Sequence, residues 1–169
     1  TGVQTCALPI FAPKSDLAVL AALVGAVAIV GLVGSAVTIP AIPGWYAELQ
    51  KPFFTPPNAA FGPVWTALYA LMAYAGWRAW RAAASGQGWQ VLAVFAFQLV
   101  LNAAWSQLFF GWRRPDLALV DVVLLWAAIA WTIRVFNRHD RLAAGLMLPY
   151  LAWVSLAVAL NAGVVVLNR

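Results

Sequence analysis

The side chains in this chain that could do chemistry are few, and most of them are stranded inside apolar runs. Gln98 and Asn102 stand four residues apart, so a helix would place them on one face, while Asp121 and Asn161 each lie within a further apolar stretch. A carboxylate in such a setting costs roughly 2.5 kcal/mol or more on insertion scales. Asp121 must therefore face a partner or a cavity, either closing a structural hydrogen bond or handling a ligand or a proton. The amides either hold helices together or contact a ligand. Four tryptophans, Trp65, Trp105, Trp126 and Trp153, also fall within apolar runs, although indoles usually gather at membrane borders. Inside a bundle they pack as core or line a pocket for a flat aromatic ligand, which they can stack on and donate to.

Chemistry of the soluble-enzyme kind lacks its parts. His139 is the sole histidine and sits in the charged turn Asn137 to Arg141, with no cysteine or paired carboxylates beside it to complete a metal site or a triad. No glycine-rich phosphate loop is present. The single cysteine, Cys6, belongs to the first ten residues, TGVQTCALPI, which read as a translated sequencing adapter and are set apart from the fold. Without Cys6 there is no thiol for a disulfide, a nucleophile or a metal ligand, and no metal is expected.

The elements that must position these residues follow from composition. Of 169 residues, 64% are hydrophobic and 9% charged, against about 25% charged in an average soluble protein, so the main solvent is lipid. At about 20 residues per crossing, the chain has room for five or six spans and no separate soluble domain. The expected architecture is an all-α integral membrane protein, a five-transmembrane-helix bundle over residues 11–169 with helices near 17–39, 62–84, 89–110, 116–136 and 142–167. Small residues at Ala18, Ala22, Ala26, Gly31 and Ser35 offer the first helix a flat packing face, or reflect how common Ala and Gly are in such helices. Pro40 and Pro43 should end that helix, Pro63 fits the first turn of the second, and Pro149 should kink the fifth.

The net charge of +5 does not point to nucleic acid, because the basic residues stand singly or in pairs where apolar runs end. Lys14, Arg78, Arg81, Arg134, Arg138 and Arg141 would lie on one side and Lys51, Arg113, Arg114 and Arg169 on the other, which inclines the N-terminus to the cytoplasm. The stretch from Pro40 to Phe61 differs in kind. Five prolines, at 40, 43, 52, 56 and 57, forbid a span, yet Trp45, Tyr46, Phe53, Phe54 and Phe61 make it aromatic. It reads as a structured lid over a cavity; the alternative is an interfacial aromatic belt.

With these residues in view, four ordered motifs become recognisable: WYAELQKPFFTPPNAAFGPVWTALYALMAY from Trp45, QLVLNAAWSQLFFG from Gln98, LALVD ending at Asp121, and PYLAW from Pro149 with Asn161 beyond. Together they closely resemble the tryptophan-rich sensory protein and translocator protein family, TspO/MBR, over nearly everything after Ile39. The resemblance implies a five-helix bundle, usually a homodimer, in a bacterial membrane, with a cavity beneath the loop joining helices 1 and 2. It implies binding of tetrapyrroles such as protoporphyrin IX or haem, in a sensor or receptor role. Light- and oxygen-dependent breakdown of protoporphyrin IX, with Trp65 and Trp153 as the reactive indoles, is the enzymatic alternative, and small-molecule transport is a third. The ligand-contacting positions it implies are Trp65, Asn102, Trp105, Asp121, Trp153 and Asn161, with Tyr46 and Phe54 from the lid. Two departures stand out. Phe53, Phe54, Asn58 and Ala59 occupy loop positions where many relatives carry indoles, and Ala162 follows Asn161 where the animal sterol motif has an aromatic. Leu71, Tyr74 and Arg78 fit the looser sterol pattern, which is too permissive to carry weight, so sterol binding is not expected.

Overall fold

The computed structural model describes residues 13–169, with side chains from Asp16 onward. The adapter-like segment and Cys6 lie outside the described residues. Within them the regular structure is helical: α1 (Pro13–Ala41), α2 (Trp45–Glu48), α3 (Asn58–Ala82), α4 (Gly88–Ser106), α5 (Pro115–Asn137), α6 (Arg141–Leu146) and α7 (Leu148–Leu167). A π-helical turn, Gln107–Gly111, continues α4.

Local chemistry explains these ends. Pro115 opens α5 at a position where the missing N–H is no loss. Asp140 caps α6, its Oδ1 accepting the N–H of Leu142 at 2.8 Å and of Ala143 at 3.1 Å. Pro149 cannot donate to Gly145, and the fifth helical stretch breaks into α6 and α7 at Met147 rather than bending smoothly. Pro40 does not end α1: the helix carries it in its last turn and runs to Ala41, with Ile42 N–H donating to Thr38 O at 3.2 Å. α3 likewise starts at Asn58, so Pro63 stands inside the helix and not in its first turn. There it forfeits one ladder bond near an end, where the cost is least.

The long helices close into a ring in which α1 meets α3 and α4, α4 meets α5, α5 meets α6 and α7, and α6 returns to α3. The main core fills this ring with Leu68 and Met72 of α3, Phe95 and Leu99 of α4, Leu125 and Ile129 of α5, and Tyr150 and Val154 of α7. Four described helical stretches are long and apolar enough to cross a membrane: Asp16–Ala41, Gly88–Gly111, Pro115–Asn137 and Arg141–Leu167. α3 has the length, at 25 residues, but Pro63, Arg78, Arg81 and its Trp and Tyr residues make it less apolar than these four. Large apolar side chains such as Leu17, Ile29 and Leu32 of α1 and Val120 and Leu124 of α5 point outward, as in a bundle whose solvent is lipid.

The proposed packing stripe on α1 divides. Ala18, Ala22 and Ser35 are exposed, whereas Ala26 packs against the core and a Cβ on Gly31 would come 3.1 Å from the Tyr69 ring; Gly34, off the stripe, makes a similar approach, 3.1 Å from Ser106 Oγ. His139 sits, as a half-buried turn residue, between α5 and α6.

Candidate functional site

α6 packs closely on α3, but beyond the break at Met147 α7 swings away from it. The wedge so opened is an apolar cavity at the end of the bundle where α1 stops and α7 ends. Phe61 and Trp65 of α3 form one wall, and Trp153, Leu156, Ala157, Leu160, Asn161 and Val164 of α7 form another. These α7 residues recur at three and four positions, one helical face. Trp105 of α4 and Phe109 and Phe110 of the π-helical turn complete the wall, and Tyr46, Lys51 and Thr55 close the top.

The π-helical turn is what turns both phenylalanines toward the cavity. Trp112 N–H reaches back five residues to Gln107 O at 2.7 Å, and Arg114 N–H reaches Leu108 O at 2.9 Å. The wider turn shifts the register of the side chains, and such bulges often mark functional places in helices. Trp105 stacks on Phe109 at 5.3 Å, Phe110 meets Phe109 edge to face at 4.8 Å, and Tyr46 leans on Phe110 at 5.5 Å. Across the cavity, Trp65 lies 5.3 Å from Tyr69 and Trp153 meets Phe61 edge to face at 5.7 Å.

Two asparagines hold this frame and spend their hydrogen bonds doing so. Asn161 accepts the Trp105 indole N–H at 3.1 Å and donates to Pro115 O at 2.7 Å, tying α7 to α4 and to the start of α5. Asn102 accepts from Tyr69 OH at 3.0 Å and donates to Tyr150 OH at 2.8 Å, joining α3, α4 and α7 behind Trp65. Trp65 and Trp153, by contrast, donate their indole N–H to no other described residue, although both line the cavity.

The lid is fastened in three ways. Gln50 N–H donates to Asn168 Oδ1 at 3.0 Å, and Asn168 Nδ2 donates to Gln50 O at 2.9 Å. Pro52 lies against Gly163, where a Cβ would come within 2.3 Å of the ring. Lys51 Nζ donates to Tyr46 O at 2.7 Å, Leu49 O at 2.8 Å and Ala47 O at 3.3 Å, capping the short α2, and its charge lies 4.8 Å over the Tyr46 ring. Burial pushes the Tyr46 phenol above its ordinary range, so it stays neutral. The space enclosed beneath this lid is about 50 Å³.

The structure thus brings together Tyr46, Trp65, Trp105, Trp153 and Asn161, and leaves three expected residues out of the lining. Asn102 stands one layer behind it. Asp121 is 8% exposed on the inward face of α5, with Oδ2 lacking a partner among the described residues, but it does not line the cavity. Phe54 is absent from the lining; it is partly exposed and meets Phe53 edge to face at 5.4 Å. Trp126 is neither core nor lining: it is half exposed and donates to Ser155 Oγ at 2.9 Å across the outer faces of α5 and α7. Gln98 is wholly buried without a partner for either polar atom among the described residues. Sequence reasoning missed Lys51, Phe109 and Phe110. The lone cation in a proline-rich loop was a readable signal for the first; nothing in the letters announces the π-helical turn that aims the other two.

The model of the TspO/MBR family matches residues 22–167. The tryptophan-rich protein TspO of Archaeoglobus fulgidus is 44% identical over 149 residues, covering 88% of this chain and 96% of that protein. The translocator protein of Sus scrofa is 42% identical over 119 residues, covering 69% and 70% respectively. The tryptophan-rich sensory protein of Cereibacter sphaeroides is 40% identical over 117 residues, covering 69% and 72%. A family match across the helical core and relatives at these identities lead to one conclusion: the chain belongs to the TspO/MBR family.

Proposed function

We propose that this chain is a five-span bacterial membrane protein that binds a flat tetrapyrrole in the Trp65–Trp105–Trp153 cavity and acts as a sensor or receptor. The observation that carries the reading is the lining itself. Three indoles and three phenylalanines surround one apolar space, and two of the indoles, unlike Trp105, donate to no other described residue. Such a surface suits a large aromatic ring system that is stacked on by its faces and held by few polar contacts. α3 supports the fifth span, since its 25 residues reach about 37 Å at helical rise and it packs in the same ring as the four more apolar stretches. The family resemblance supports a homodimer, and the apolar outer faces of α1, α4 and α5 leave area for a second copy.

The lining favours metal-free protoporphyrin IX over haem. It contains no His, Cys or Met, the usual donors to haem iron. An enclosed space of about 50 Å³ is far below the roughly 300–1,000 Å³ of ordinary ligand pockets, so binding requires the lid to lift and the rings to part. The test is a titration of purified protein with protoporphyrin IX in the dark, followed by tryptophan quenching and by the pigment's absorbance. Saturable quenching with a shifted absorbance band is expected, and its absence overturns the reading. Flux of the pigment across reconstituted vesicles would mark a transporter instead.

A further inference from the structure

Pro52 seats one arm of the lid on the flank of α7, against Gly163. Gly163 precedes Leu167, the last residue of α7, by four positions, which is about 6 Å along a helix axis. The next two residues of the lid are Phe53, 100% exposed, and Phe54, 42% exposed, paired edge to face. Neither lines the cavity. They therefore sit outside the cavity, directly after the Pro52 contact at Gly163, which lies one turn, about 6 Å, before the end of α7; Val166 and Leu167 beyond it are exposed. In a bilayer this is the depth of the headgroup and acyl boundary, where apolar side chains of surface-lying segments settle, roughly 5–10 Å in. Arg113 and Arg169 lie at the same end of the bundle, which suits the phosphate layer just above, whereas Lys51 is spent on the carbonyls of α2 and Arg114 on Asp116.

We infer that Phe53 and Phe54 are a lipid-contacting anchor that sets the outer edge of the lid into the membrane, so that opening of the cavity is coupled to the bilayer. The contact is with lipid and not with a second copy, because two rings fall far short of the roughly 800 Å² per partner that a stable protein interface buries. Tyr46 and the Phe53–Phe54 pair then divide the lid's work. The first faces the cavity and the second faces the acyl chains, with Pro52 on Gly163 as the pivot between them. The inference is independent of which ligand the cavity takes, and rests only on α7 crossing the membrane.

The experiment uses the full chain with Cys6→Ser in phosphatidylcholine and phosphatidylglycerol vesicles. A nitroxide is attached in turn at Phe53→Cys, Phe54→Cys, Leu32→Cys and Glu48→Cys, and its collision with oxygen and with a water-soluble nickel complex is measured by power saturation. Leu32 faces outward from the middle of α1 and Glu48 is an exposed lid residue, so they give the lipid and water references. Labels at 53 and 54 should favour oxygen over nickel severalfold, as at Leu32. Nickel access equal to that at Glu48 overturns the anchor, and so does shielding from both reagents, which would mean a protein partner. Water-like access at Leu32 as well would instead refute the membrane-spanning reading on which the anchor rests. As a check that leaves position 53 unlabelled, Phe53→Ser with Phe54→Ser should speed amide exchange over residues 45–55 severalfold in vesicles and leave it unchanged in detergent. Equal effects in both media overturn the coupling to lipid.

Discussion

The side chain of Asn168 holds the main chain of Gln50 from both sides, accepting its N–H at 3.0 Å and donating to its carbonyl at 2.9 Å. One residue at the end of α7 thereby closes the loop between α1 and α3 over the cavity. The same amide also reaches Val164 O at 2.8 Å, so the latch is braced on its own helix. Asn168→Ala removes both lid bonds, each exposed and worth about 1 kcal/mol. Stopped-flow quenching with protoporphyrin IX should show dissociation faster by about tenfold, with association raised as well because entry needs the same opening. Unchanged rates in a folded variant would reduce Asn168 to a helix cap.

Gly163→Ala tests the second fastening by the opposite means, adding an atom where Pro52 already lies within 2.3 Å of the built Cβ. The ring and helix backbone must part. Overpacking of this kind costs about 1–3 kcal/mol, and thermal unfolding in detergent should fall accordingly. Gly25→Ala is the control: nothing lies within 4 Å of its Cβ, and a mid-helix Gly→Ala change should raise stability by about 0.5–1 kcal/mol.

Asn102 should prove structural. Asn102→Leu strands the buried Tyr150 hydroxyl and loosens three helices at once, costing about 2 kcal/mol or more. Because Asn102 stands behind the lining, protoporphyrin affinity should stay within about threefold, or about 0.7 kcal/mol. A collapse of affinity with unchanged melting temperature would put Asn102 in contact with the ligand.

The end of the bundle opposite the lid carries one acid-sensitive pair. Arg78 pairs with Asp140 at 2.8 Å and 3.0 Å while Asp140 caps α6. Desolvation alone would raise the Asp140 carboxyl, but the bonds from Ala143, Arg78 and Leu142 together hold it below its ordinary value of 3.8. A depressed folded-state value means the stabilisation is complete above about pH 5 and is lost as pH falls through and below 3.8. Asp140→Asn should cost about 1–2 kcal/mol at pH 7 and flatten the acid limb of a melting-temperature profile. An unchanged acid limb would place the sensitivity elsewhere.

The free indoles separate binding from photochemistry. Trp153→Phe keeps most of the stacking area but loses the N–H and the oxidisable ring. Affinity for protoporphyrin IX should stay within about tenfold, or about 1.4 kcal/mol, while any light-dependent decay of the pigment in the parent should fall sharply. Illuminated absorbance decay beside dark titration, for parent, Trp65→Phe and Trp153→Phe, gives the answer. Parental decay rates in both variants would show that no protein indole takes part, leaving the binding role alone.

The helical, lipid-facing class was written in local terms: apolar runs of span length, basic residues at their ends and prolines between them. Of the α7 wall, Trp153 and Asn161 stood out in the sequence, while Ala157 and Leu160 join the lining only in the folded chain. The pairing of Asn168 with Gln50 was not legible, nor was the closure of Pro52 on Gly163. These join positions more than a hundred residues apart, and only the packed ring brings the end of α7 beneath the first loop. The same holds for the roles of the buried amides. Local sequence placed Asn102 and Asn161 on inward faces, but whether an inward amide meets a ligand or another helix depends on what stands opposite. Tyr69 and Tyr150 stand opposite one, Trp105 and Pro115 opposite the other. Phe54 and Trp126 fall outside the lining for the matching reason. An aromatic residue carries the same burial preference on either face of a loop or helix, and in lipid the outward face is no less apolar than the inward one.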